Sequence, residues 1–313
     1  MQKYGRQNGK QRYRCQACGR FFRSKKKPSV RGRSLWKTYV LRRATLANLS
    51  VDDGRSPRQL QRVLREEARR KKIVVHTSGS MPVVLVMDTT YFDTFGVMVF
   101  RCWNRRQNLF WRFIEEETNE MYLAGLKRLQ ETGFMVVGVV CDGKRWLAEQ
   151  IQALGLPVQL CQFHFTKTMT RHLTKKPKTQ AGRALRFLTL NAKRMNEQSF
   201  TEALDAWHEK YEIFLAEKTV TAQTGRRQYT HRNVRSAYKT ATHWLPYLFT
   251  CKKFPELNIP NTTNTLDGTF SHVKNKVNVH RGLNDETKRK MIALILNQPS
   301  LPKRRKNQLK SVV

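Results

Sequence analysis

Two stretches of the chain are continuously apolar, and each stops at an aspartate. "PVVLVMDTTYF" (82–92) reaches Asp88, and "MVVGVVC" (135–141) is followed by Asp142. Short runs without alternation predict strands buried on both faces at the centre of a sheet. Between and after them strand and helix patterns alternate. Residues 95–103 and 108–114 predict a hairpin around "NRRQ". Thr118 predicts the cap of a helix carrying Tyr122, Leu126 and Leu129 and stopped by Gly133. A helix with Leu147, Ile151 and Leu154 stops at Gly155, and "VQLC" reads as a short strand. Residues 82–165 therefore predict the first part of a mixed α/β sheet domain.

From 166 to about 255 the pattern is helical and predicts an all-α insertion. Ser199 and Glu202 form a capping box ahead of Phe200, Ala203, Leu204, Trp207, Tyr211, Phe214 and Leu215 at helical spacing. Residues 256–298 predict a return to the first domain. There Leu266, Phe270, Val273 and Val277 make a buried stripe, with Asp267, Ser271, Lys274 and Asn278 on the flanking face. Gly268 inside such a helix costs about 1 kcal/mol relative to alanine and points to a close approach to its backbone. Another helix follows Asn284, and residues 299–313 form a basic tail.

The N-terminal segments are of another kind. Within residues 1–30, Asn8-Gly9 is a hairpin turn signal and "CQACGRFF" reads as a metal knuckle followed by a strand. A zinc ribbon needs four ligands, and Cys15 and Cys18 supply two. Either the first pair precedes residue 1, or the ribbon is degenerate, or these are two ordinary thiols. Residues 31–75 predict two helices between 34 and about 72. In the second, Ser56, Pro57 and Gln59 make a capping signature, Leu60, Val63 and Leu64 an apolar stripe, and Arg58, Arg62, Arg65 and Arg69 a face of arginine. That combination predicts a helix-turn-helix. A solvated charged face is the alternative. "HTSGSM" (76–81) reads as a linker.

Charge changes the picture most. The 313 residues hold 60 Lys and Arg against 23 Asp and Glu, a net +37 with a pI near 10.6. Such an excess strains a compact fold unless a polyanion neutralises part of it, and nucleic acid is the obvious one. No stretch approaches the ~20 apolar residues of a membrane span, and no apolar signal segment follows Met1. The six cysteines are irregularly spaced and predict reduced thiols. A soluble, intracellular protein is the expectation.

In so basic a chain the acids gain weight. Asp88 and Asp142 each follow a buried strand, at the edge where open α/β sheets bind ligands. If the strands are neighbours, the carboxylates converge and repel unless a cation lies between them. Hard carboxylate oxygens select Mg²⁺ or Mn²⁺, and paired metals attack phosphodiesters. Either aspartate alone reads more simply as a turn or cap residue. Two at matching positions balance that reading, and Asp267 is the candidate third.

"VMDTTYF", "VVCDG", "CQFHF" and "TTNTLDGTFSHVKNKVNVHRGL" together, in order, resemble DDE transposases of the bacterial insertion-sequence branch of the Mutator superfamily. The resemblance covers residues 80–297, and the first 72 resemble the zinc-ribbon and helix-turn-helix segments often placed in front. It implies an RNase-H-like core with an all-α insertion before the last acid. It implies a transposase that cuts and joins DNA at the ends of an insertion sequence, with Mg²⁺ or Mn²⁺ held by Asp88, Asp142 and Asp267. Cys161 and His164 match the family's C/D-x-x-H signature near the site; by spacing alone they are a core thiol and a surface histidine, or half a zinc site. Zn²⁺ would sit at Cys15 and Cys18. Arg58, Arg62, Arg65, Arg69, Lys274, His280 and Arg281 are the DNA-contact candidates. The implied setting is double-stranded DNA, a homodimer or larger assembly on it, and the bacterial cytoplasm and nucleoid. The family usually carries Glu where this chain has Asp267, one methylene shorter. A nuclease on the same core and an inactive relic that only binds DNA share the first two acids.

Overall fold

The computed structural model describes residues 2–7, 10–23, 30–42, 44–73, 79–144, 146–220, 225–280 and 282–298. The chain divides into a smaller unit, Met1–Ile73 with Lys276–Ile295, and a larger one, Val74–Asn275 with Leu296–Val313. The turn at Asn8-Gly9, Arg281 and the basic tail lie outside the described residues.

The smaller unit opens with an antiparallel sheet of β1 (Gln2–Gln7), β2 (Lys10–Arg14) and β3 (Phe21–Arg23). Three helices follow: α1 (Val30–Leu41), α2 (Leu46–Asp53) and α3 (Pro57–Arg70). Two were expected over this stretch. The pattern breaks because Thr45, extended in backbone, caps a new helix by accepting from the Asn48 N–H at 3.2 Å. Gly54 ends α2 in the left-handed region at φ 76°, and three residues connect α2 to α3. The Ser56–Gln59 capping box forms in both directions. Leu60 and Leu64 are buried, Val63 is half-buried, and Arg58, Arg62, Arg65 and Arg69 are all exposed.

The larger unit is built on a five-stranded mixed sheet: β4 (Pro82–Phe92), β5 (Phe95–Cys102), β6 (Gln107–Ile114), β7 (Met135–Cys141) and β8 (Val158–Leu160), in the order β6-β5-β4-β7-β8. β4, β5 and β6 are antiparallel, while β4, β7 and β8 are parallel. The crossovers carry α4 (Asn119–Glu131), capped by Thr118, and α5 (Leu147–Gln152). β4 does not end at Asp88. Its parallel pairing with β7 stops at Val86↔Val140, but antiparallel pairing with β5 carries it to Phe92, where a turn at Asp93-Thr94 reverses the chain. Leu154, expected on an apolar stripe, is exposed because α5 is already over.

After β8 come α6 (Gln162–Leu173), α7 (Gln180–Asn191), α8 (Glu197–Ala216), α9 (Arg232–Leu248) and α10 (Thr250–Lys253). The segment is not wholly helical: β9 (Lys218–Val220) and β10 (Arg227–Tyr229) form a small exposed ribbon. Nor does Ser199 cap α8. Asn196 accepts from the Ser199 N–H at 2.8 Å and starts the helix earlier. Phe200, Leu204, Trp207 and Leu215 nevertheless face the core as their spacing demands. α11 (Asn264–Asn278) buries Leu266, Phe270, Val273 and Val277. α12 (Asp285–Leu296) follows. In the smaller unit, Lys276 donates to the Leu41 carbonyl at 2.6 Å and His280 packs on Tyr39. Among the described residues no helix is long and apolar enough to cross a membrane.

Candidate active site

The register of the central parallel pair positions the first two acids. Val86 lies opposite Val140, so the chain two residues further on each strand sets Asp88 beside Asp142 at one edge of the sheet. Asp267, in the first turn of α11, is near enough that both it and Asp142 act on Asp88. Burial is the main influence on Asp88 and, with the two neighbouring carboxylates adding to it, pushes its pKa up to about 7. The Thr89 N–H, 2.8 Å from Oδ1, and the His164 ring work against that rise. Of the acids expected from sequence, Asp142 and Asp267 therefore both act on Asp88. Among the described residues, no three His, Cys, Asp or Glu side chains already stand at the spacing of a metal site.

Asp142 is held at the tip of β7 by the Gly143 N–H, 2.6 Å from its Oδ1. Gly143 has a packing reason to be glycine. A Cβ there would lie 1.6 Å from the indole of Trp244, which closes over this backbone from α9. The helical segment is therefore pressed directly onto the turn that presents the second acid.

His164 approaches from α6, its Nδ1 3.5 Å from Asp142 Oδ1. That nitrogen is buried without a hydrogen-bond partner. The interaction of the imidazole with Cys161 chiefly, and the charges of Asp142 and Asp88 beside it, raise the His164 pKa to about 9 despite its burial. His164 is therefore cationic at neutral pH and places positive charge among the acids.

Cys161 is buried and precedes α6. Burial alone would push its thiol up, but hydrogen bonds from His164 and Thr263 outweigh that and bring it below its ordinary value. Thr263 donates its backbone N–H at 3.3 Å and its hydroxyl at 3.4 Å to the Cys161 sulfur. α11 starts at the next residue. The Cys161-x-x-His164 pair thus spans the site: one member tied to the chain that leads to Asp267, the other facing Asp142.

The supporting residues carried little signal in the sequence. Gln159 and Gln162 are buried, and both donate to the Leu248 carbonyl at 2.8 Å. Asn261 bonds back to Gln162 at 3.1 Å. A second chain runs from Thr89 to Tyr122 (2.9 Å), on to Glu117 (2.7 Å) and to Lys144, 3.7 Å from the Glu117 carboxylate. The only cue available was polar residues inside otherwise apolar runs such as "VQLCQF".

Other expected site residues fall elsewhere. Lys274 is half-buried, its ammonium 5.8 Å over the Phe92 ring. Gly268 is exposed, and a Cβ on it would meet nothing within 4 Å, so no described part of the protein makes the close approach expected there. In the smaller unit, His280 is only 6% exposed, its ring 3.9 Å from that of Tyr39, and burial lowers its pKa. It presents no surface to DNA, because packing has claimed the ring. Cys15 and Cys18 sit on the turn between β2 and β3, where backbone N–H groups of Cys18 and Ala17 lower the Cys15 thiol pKa. No further metal ligands join them among the described residues.

No protein-family model matches the chain, and no curated protein matches it. Among solved structures it is similar to a Drosophila P element transposase strand transfer complex, at 11% identity over 87% of this chain and 92% of that one, with a TM-score of 0.35. It is also similar to a simian T-cell lymphotropic virus intasome in complex with PP2A regulatory subunit B56 gamma, at 10% identity over 67% and 68%, with a TM-score of 0.22.

Proposed function

We propose that the chain is a DDE-type transposase, with aspartate at all three positions, that cuts and joins DNA at the ends of an insertion sequence. The observation that carries this reading is Asp88, set beside Asp142 at the end of the central parallel pair and pushed up to about pKa 7 by burial, with the Asp142 and Asp267 carboxylates adding to the rise. Carboxylates that raise one another's pKa repel unless a cation lies between them. Their oxygen donors fit Mg²⁺ or Mn²⁺, and the carboxylates would close on the ion. Bound metal would activate the attacking oxygen and stabilise the leaving one.

The remaining chemistry falls to the chain. Water attacks phosphorus at the element end, one P–O bond forms as another breaks, and a 3′-hydroxyl is released. That hydroxyl then attacks target DNA in the same way, so no covalent protein intermediate is needed. His164 offsets repulsion at Asp142, and the Cys161–Thr263 tie holds the start of the helix bearing Asp267. The exposed arginines of α3 suit duplex DNA, and α2, the turn at Gly54 and α3 fit a helix-turn-helix. The knuckle at Cys15 and Cys18 would take zinc only with ligands from beyond the described residues.

The test is Mg²⁺-dependent nicking and strand transfer on DNA flanking the gene, with Asp88→Ala and Asp267→Glu alongside. Activity in the wild type that Asp88→Ala abolishes supports the reading. Cleavage without joining makes it a nuclease. DNA binding without reaction, restored by Asp267→Glu, makes it a relic disabled by one methylene.

A further inference from the structure

The larger unit carries a trough that runs on from the second acid, beyond the groups the reaction above uses. A cavity of about 330 Å³ is bounded by Asp142, His164, Lys144 and Lys167. A second, of about 610 Å³, is bounded by Trp146, Lys239, Thr240 and His243. The two share Gly143, Thr168, Arg171 and Trp244, so together they form one channel leading from the second acid along the seam where α6 packs on α9.

The charges along this channel are uneven. Lys144 is offset by Glu117 at 3.7 Å, and the Glu149 carboxylate lies 3.4 Å from the His243 ring. Lys167, Arg171 and Lys239 are exposed, and among the described residues no carboxylate pairs with them. Lys167 and Arg171 lie one turn apart on α6, and Lys239 faces the same channel from α9. Adjacent cations without counter-ions repel, so the arrangement suits an extended anion. The channel begins at Asp142, which makes that anion continuous with the group that meets the acids. Its volume is that of a pocket for a few connected ring systems (roughly 300–1,000 Å³), not of a cradle for a double helix. Trp146, exposed on its wall, suits the stacking of an unpaired base, while Trp244 is buried against Gly143.

We infer that the trough binds a single DNA strand adjoining the phosphodiester to be cut, with successive phosphates on Lys167, Arg171 and Lys239. The identity of the polyanion rests on the transposase reading; the binding site itself does not require catalysis.

The experiment measures binding of the full chain to labelled oligothymidine of about 12 nucleotides, and to a duplex of equal length, in chelator at about 0.15 M salt. The variants are Lys167→Gln/Arg171→Gln/Lys239→Gln and a control of equal charge, Lys127→Gln/Lys193→Gln/Lys210→Gln, from exposed positions away from the trough. The expected result is single-strand affinity about tenfold weaker in the trough variant, and a log–log salt slope smaller by about 2. The duplex should be much less affected, and the control variant should stay near wild type. Equal losses in both variants, or equal losses for single strand and duplex, overturn the inference. With no metal present, the result is separate from the strand-transfer assay. A chain that never cuts DNA yet shows the selective loss keeps the trough and loses the transposase reading.

Discussion

Thr263 directs two donors, its backbone N–H and its hydroxyl, at the sulfur of Cys161, 102 residues away in sequence. Both residues are fully buried. This tie joins the end of the central sheet to the chain that starts α11. Cys161→Ala leaves both donors unmet in the interior and should cost about 1–3 kcal/mol in chemical denaturation. Cys161→Ser retains an acceptor and should recover much of that. If the tie positions Asp267, strand transfer falls further in the alanine variant than its lost stability explains, measured well below its melting temperature. Equal activity in both variants would make the contact purely structural.

Gly143 and Trp244 make a second such pair. Gly143→Ala drives a methyl into the indole and should destabilise by about 1–3 kcal/mol, with the turn bearing Asp142 displaced. Trp244→Leu makes room. A double-mutant cycle should show coupling above about 0.5 kcal/mol, whereas simple additivity would show that the ring does not constrain this backbone.

Asp88 gives the metal-free protein a characteristic pH dependence. Its folded pKa, about 7, lies above the ordinary carboxylate value of 3.8. Its contribution is therefore fully present below about pH 4 and is lost as pH rises through 7. Thermal melting in chelator should weaken from pH 5 to pH 8, Mg²⁺ should reverse the loss at pH 8, and Asp88→Asn should remove both effects. A wild-type melting curve indifferent to Mg²⁺ at pH 8 would count against a cation among these acids.

The arginine face of α3 is tested by Arg58→Ala and Arg62→Ala, both exposed. Each should leave the melting temperature unchanged. A lost phosphate contact lowers the salt slope of duplex binding by about 1, while a lost base contact costs about 1–3 kcal/mol on the preferred sequence alone. Unchanged duplex binding in both variants would leave a merely solvated face.

His280 behaves oppositely, as a core side chain. Burial lowers its pKa, so its neutral form stabilises the smaller unit above about pH 6.5 and that stability is lost as pH falls below it. His280→Phe should keep the packing on Tyr39 and flatten this acid-side loss while leaving DNA affinity intact. A weakening of DNA binding without a stability change would return His280 to the surface role.

Much of the fold was legible because its signals are local. A continuous apolar run has to be buried on both sides, so β4 and β7 were marked without knowledge of their neighbours. A cap acts within one turn, so Thr118 and the Ser56–Gln59 box read correctly from a few residues. Where two local signals competed, the outcome went the other way. Asn196 displaced Ser199 as the cap of α8, and Thr45 divided one expected helix into two. β4 overran Asp88 because antiparallel pairing with β5 continued after its parallel pairing had stopped.

The site depends on contacts that leave no periodic trace. Residue types and spacing marked Asp88, Asp142 and Asp267 as candidates, but which of them act on one another depends on the Val86↔Val140 register and on where α11 docks. The same holds for the hold of Cys161 on Thr263, for Trp244 closing over Gly143, and for Tyr39 covering His280. Side chains far apart in the chain meet only once helices and strands have packed. That packing is set by shape and burial summed over the whole core, a quantity no short window of sequence contains.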